Sequence, residues 1–158
     1  MNATFKKMNY KDQKVLHILN APEGFQPTLE EMRQGAEVKT RLGKTGSVSF
    51  FLAFVTKLAE VENLSRAVAP LLGPGGLLWF AYPKGTSKKY KCEFNRDNGW
   101  KVLGDLGFEP VRMVAIDEDW SALRFRKAEE IKTMTRSFAM SEEGKKKVAA
   151  STAKKKKA

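Results

Sequence analysis

Asn20, Glu23, Arg41, Lys84 and Trp120 supply an amide, a carboxylate, two cations and an indole. Together they could hold an anionic small molecule, with Lys84 and Arg41 meeting its charge and Trp120 stacking on a flat group. Lys44 lies three residues beyond Arg41, and Asp117 and Asp119 precede Trp120 closely. With Glu23 or Asp117 as proton acceptor and Lys84 stabilising developing charge, the same set would serve a transfer reaction. Each residue also has a structural use: a solvated lysine, a glutamate capping a turn, a tryptophan filling core at a sheet end. Open α/β sheets bind ligands outside the carboxyl ends of their parallel strands, so the chemistry depends on whether these residues share that edge.

The elements that would place them there can be read from the apolar pattern. Residues 15–20 form a short apolar run closed by Ala21-Pro22-Glu23-Gly24, a first strand ending in a tight loop that carries Asn20 and Glu23. Thr28 with Glu31 three residues on is the reciprocal cap of a helix start, which predicts a helix to about Gln34 stopped by Gly35. Residues 37–42 predict an exposed strand leading to Arg41, and residues 48–55 a central one. Leu58, Val61, Leu64, Val68 and Leu71 recur at helical spacing, with a break expected near Pro70. Gly73, Gly75 and Gly76 then predict a turn before a buried strand, residues 77–82, that delivers Lys84. A polar loop over 85–91 precedes a helix expected to start at Asn95, bury Trp100, Leu103 and Leu106, and stop at Gly107. Residues 111–116 and 120–125 are separated only by Asp117-Glu118-Asp119, too short for a parallel crossover, and so form an antiparallel hairpin. The expected fold is a three-layer α/β/α sandwich with a mostly parallel mixed sheet ending in that hairpin. Trp120 begins the returning strand and therefore starts at the same edge as Lys84.

Other motifs fail on their context. Gly43-Lys44-Thr45 resembles the end of a phosphate-binding loop, but Val38 stands where its first glycine belongs and a strand follows where a helix is required. His17, the single histidine, lies among apolar residues of the first strand and reads as a core or edge histidine; a hydrolase triad also lacks its serine or cysteine elbow. Cys92 is the single cysteine, so neither an intrachain disulfide nor a cysteine-cluster metal site is expected. Arg124 shares a strand face with Trp120 and is expected against a covering helix.

The net charge of +11 over 158 residues suggests nucleic acid until its distribution is examined. Residues 145–158 hold seven lysines (Lys145, Lys146, Lys147, Lys154, Lys155, Lys156 and Lys157) and no acid, leaving 22 basic and 18 acidic groups in residues 1–144, a net of +4. We therefore expect one α/β domain over residues 1–127, a C-terminal helical extension over 128–144 and a disordered lysine-rich tail over 145–158. Such a tail attracts nucleic acid weakly and without sequence preference. With no apolar run near the ~20 residues of a membrane span and no signal segment, a cytoplasmic location and no membrane partner are expected. An exposed edge at the second strand or at the hairpin is available to a second copy.

The run from Val48 through Leu71, the Pro74-Gly75-Gly76 turn, the strand to Tyr82, and Gly107-Phe108 followed by a hairpin resemble the second half of class I methyltransferase folds. Over residues 5–127 the chain also resembles a family of small uncharacterised bacterial proteins of unknown function. That likeness rests on Lys7-Met8-Asn9-Tyr10-Lys11, Asn20-Ala21-Pro22-Glu23-Gly24-Phe25, Pro83-Lys84 and Trp120-Ser121-Ala122-Leu123-Arg124. It implies a methyltransferase-like sheet without an established activity. The methionine-derived cofactor of methyltransferases needs a glycine-rich turn after the first strand and an acid after the second; here stand one glycine, Pro22 without an amide hydrogen, and Arg41-Leu42-Gly43-Lys44. No cofactor and no metal are expected. The sequence thus predicts a non-enzymatic module that binds an anionic ligand or partner, with a divergent small-molecule transferase as the alternative.

Overall fold

The computed structural model of the chain describes residues 3–42, 46–94 and 99–130. Helix α1 (Ala3–Lys7) precedes β1 (Val15–Leu19); a 3-10 turn, Glu23–Phe25, runs into α2 (Gln26–Arg33), followed by β2 (Glu37–Lys39), β3 (Val48–Phe54) and α3 (Leu58–Val68). Then come β4 (Leu72–Pro83), α4 (Lys101–Asp105), β5 (Phe108–Ala115), β6 (Trp120–Lys127) and a 3-10 turn, Ala128–Glu130. The six strands form one sheet in the order β2-β1-β3-β4-β6-β5. β2, β1, β3 and β4 are parallel neighbours, whereas β6 is antiparallel to both β4 and β5. The expected mixed sheet with an antiparallel end is the observed one. From β1 the chain steps outward to β2 and then returns across β1 to β3, so the strand order reverses between β1 and β3.

The uniformly apolar β3 and β4 are explained by a core on each side of the sheet. Phe51, Leu78, Phe80 and Phe125 face Val61 and Val68 of α3 and Val102 and Leu103 of α4. Phe50, Leu52, Trp79 and Ala122 face Phe5 of α1 and Leu29 and Met32 of α2. Helices therefore cover both faces, giving the three layers. Trp79, fully buried, ties α1 down by donating its indole N–H to the Met8 carbonyl at 3.1 Å. Arg124, on the same face, donates to Asn9 Oδ1 at 3.4 Å, which places it beside the α1 segment as its strand position implied.

Three local expectations are corrected. The Thr28–Glu31 cap does not form, because the 3-10 turn feeds α2 directly and the helix starts at Gln26 with Phe25 as its N-cap, placing Thr28 inside the first turn. Gly73, Gly75 and Gly76 lie within β4 and not ahead of it. Val48 pairs with Leu72 and Phe50 with Leu77, so two steps along β3 correspond to five along β4 and the glycine segment bulges out between them. The last helix is shorter than expected: α4 begins at Lys101 after Trp100, and Asn95, its expected cap, lies outside the described residues. Gly107, at φ +89°, ends it as anticipated. The proposed helical extension beyond residue 130 and the lysine tail also lie outside the described residues. Among the described residues no helix is long and apolar enough to cross a membrane.

Candidate functional site

The carboxyl ends of β1, β2, β3 and β4 share one edge with the start of β6. Asn20 follows β1 in a left-handed conformation (φ 59°) and is exposed. Glu23, exposed, opens the 3-10 turn, and Arg41, exposed, stands two residues past β2. Lys84, half-buried, follows β4 directly. Lys44 lies outside the described residues.

An open cleft of about 850 Å3 lies at the end of β4, and of the five candidates Lys84 lines it. Its floor is Tyr82, Pro83 and Ser121, and its outer wall is the loop carrying Ser87, Tyr90, Lys91, Cys92, Glu93 and Phe94. Asn20, Glu23, Arg41 and Trp120 do not line it. Trp120 departs most from expectation. Its side chain is 4% exposed and packs on the α2 side of the sheet, 5.0 Å from the Phe54 ring and 4.9 Å from the Tyr90 ring between centroids. The indole fills core at this edge and offers no open stacking face. Because β6 alternates, the neighbouring Ser121 turns to the other side and reaches the cleft instead.

The loop is fastened at both ends. The Lys84 amide donates to the Asp119 carbonyl at 2.7 Å, and Ser87 Oγ donates to Asp119 Oδ1 at 2.8 Å while accepting from the Tyr90 amide at 3.1 Å. At the far end the Glu93 amide donates to the Thr56 carbonyl at 2.9 Å, and Glu93 Oε2 accepts from the Leu58 amide at 2.7 Å. Glu60 Oε1 accepts from the amides of Thr56 and Lys57 at 2.9 and 3.1 Å. Two carboxylates of the chain thus occupy the start of α3, where a bound anion would otherwise find amide hydrogens. Asp117 is similarly engaged, its Oδ1 accepting from the amides of Asp119 and Trp120 at 2.8 and 2.9 Å. Burial, chiefly, pushes the Cys92 thiol above its ordinary pKa, which disfavours the thiolate. Among the described residues no group of three or more His, Cys, Asp or Glu is placed to hold a metal ion.

Sequence reasoning missed Tyr90, Lys91, Glu93, Phe94 and Ser121 as lining residues. Ser121 carried a signal: in an antiparallel pair it sits opposite Tyr82 and shares its face. The loop residues carried none, because contacts made 32 and 35 residues away fix their placement.

No protein-family model matches the chain, and no curated protein matches it. Solved structures with a similar chain course include the ribosomal protein L11 methylase of Lactobacillus delbrueckii subsp. bulgaricus, at 10% identity and a TM-score of 0.49, covering 78% of this chain and 76% of that one. The N-methyltransferase NodS of Bradyrhizobium japonicum aligns at 17% identity and a TM-score of 0.44 over 72% of this chain and 74% of its own. Fibrillarin of Aeropyrum pernix, solved with natively bound S-adenosyl-L-methionine, aligns at 18% identity and a TM-score of 0.45, with 69% of this chain spanning 54% of fibrillarin. The fold assignment rests on the strand order and pairing of the chain itself.

Proposed function

We propose that this chain is a small α/β module that binds an anionic small molecule in the cleft at the carboxyl end of β4, and that its lysine-rich tail adds non-specific contact with nucleic acid. The observation that carries the first part is the composition of that cleft. Lys84 and Lys91 supply charge in a cleft also lined by the aromatic residues Tyr82, Tyr90 and Phe94 and by Ser121, in a volume suited to a small ligand. Binding is favoured over turnover because the nearby carboxylates are engaged in the fold: Glu93 at the α3 start, Asp117 in the hairpin turn. Glu23 lies outside the cleft altogether.

The methyl-donor cofactor of methyltransferases does not fit the residues present. Gly24 is the single glycine in the turn after β1, and Pro22 in the same turn has no amide hydrogen to offer a ligand. Phe25, Phe54 and Trp120 are packed at this edge, with the Phe25 and Phe54 rings 4.9 Å apart. Arg41 follows β2 where an acid would hold ribose hydroxyls. A divergent transferase at the same edge is the second reading, favoured by the amine of Lys84 and the hydroxyl of Ser121 lining one cleft.

Thermal shift of the full chain against nucleotides, sugar phosphates, aromatic carboxylates and S-adenosylmethionine separates the two. Expected is saturable stabilisation by an anionic compound, about 2.7 kcal/mol at a hundredfold excess over Kd, weakened at least about tenfold in Lys84→Ala, with no shift from S-adenosylmethionine. Absence of any saturable shift overturns the binding reading. A saturable shift with S-adenosylmethionine replaces it with the transferase.

A further inference from the structure

We infer that β2 is a homodimer edge, on which a second copy of the chain pairs antiparallel about a two-fold axis through Val38. β2 ends the sheet, and the Glu37 amide donates to the Lys14 carbonyl at 2.8 Å. Strand alternation then turns the backbone groups of Glu37 and Lys39 toward β1 and those of Val38 outward, while the Ala36 amide, just ahead of the strand, already donates to the Met32 carbonyl at 3.0 Å. An axis through Val38 makes Val38 and its copy a hydrogen-bonded pair that exchanges both N–H···O bonds. In the same register Glu37 stands opposite Lys39 of the copy, and Lys39 opposite Glu37, as adjacent non-hydrogen-bonded pairs whose side chains approach most closely. Two opposite-charge pairs therefore follow from one symmetric register. Glu37 is exposed and Lys39 half-buried, so both are available at the edge.

The other terminal strand, β5, opposes self-pairing. Its register slips between Pro110 and Arg112, Pro110 lacks an amide hydrogen, and an axis near its centre brings Arg112 against its own copy. The exposure of Val111 and Met113 (40% and 47%) does not offset that repulsion. The β2 interface is short, and two chains of net charge +11 repel one another, so the dimer is weak and reversible.

Sedimentation equilibrium of the full chain from about 10 µM to 1 mM, in about 0.15 M salt, tests the register. The wild type is expected to show a monomer–dimer equilibrium. Glu37→Lys and Lys39→Glu each place like charges opposite each other and should weaken it about tenfold or more. An equimolar mixture of the two variants restores both attractive pairs and should form the heterodimer at least as well as the wild type, which also establishes that both variants are folded. A wild type that stays monomeric, a dimer insensitive to both substitutions, or variants that do not pair on mixing overturns the inference. None of these residues lines the β4 cleft, so the outcome is independent of ligand binding there.

Discussion

His17 shows what a single side chain contributes once the sheet is closed around it. It lies in β1 at 2% exposure, opposite Phe51 on one side and Lys39 on the other. Burial, then the charge of Lys39, lower its pKa below the ordinary histidine value, while Glu37 and a backbone hydrogen bond at Phe50 pull weakly the other way. The folded chain therefore binds this proton less readily than the unfolded chain. The stability His17 contributes is present in full above the unfolded pKa, about 6.5, and is lost as pH falls through the folded value. Urea denaturation midpoints between about pH 7.5 and 5 should fall toward acid, and His17→Gln, which cannot titrate, should reduce that slope. An unchanged slope in the variant would assign the acid sensitivity to other groups.

At the scale of elements, the glycine segment of β4 has a defined mechanical role. Gly75 sits at φ +70°, and a Cβ on Gly76 would lie 2.9 Å from the Gly73 carbonyl oxygen and 2.8 Å from Leu72 Cδ1. Gly76→Ala must therefore shift backbone and should cost about 1–3 kcal/mol, whereas Gly24→Ala, with open space at an ordinary φ, should be neutral or stabilising by up to about 1 kcal/mol. Equal unfolding free energies for the two variants would remove the bulge as a structural requirement. This bulge also marks where sequence reasoning stopped. Glycines at 73, 75 and 76 signal unusual backbone, but whether they form a turn ahead of a strand or a bulge within it depends on whether Leu72 finds Val48, a contact 24 residues away. The same division holds elsewhere. β3, β4 and the hairpin were legible because apolar runs and a three-residue link leave few alternatives. Lys84 was placed correctly at a strand end for that reason, while the burial of Trp120 depends on Phe54 and Tyr90, which no local pattern near residue 120 reveals.

Along the whole sequence, charge separates into a nearly balanced stretch and a strongly basic one. Residues 1–144 carry a net of +4 and residues 145–158 a net of +7 from lysines alone. Several acids of the sheet region have local work, as at Glu60, Glu93 and Asp117, and the near-balance of residues 1–144 leaves most of the net positive charge in residues 145–158. Association with nucleic acid, if carried by the end, has a limit that arithmetic sets. Seven lysines can displace at most seven counterions, so the slope of log K against log salt on duplex DNA should be no steeper than about −6. Filter binding or fluorescence anisotropy from about 50 to 200 mM salt should give a slope of several units for the full chain, similar for unrelated sequences. Removing residues 145–158 should reduce it to about −2 or shallower. Retention of the full slope by the truncated chain would move the contact onto the domain, where Arg112 on the β5 edge and Arg41 past β2 would be the exposed cations to substitute next.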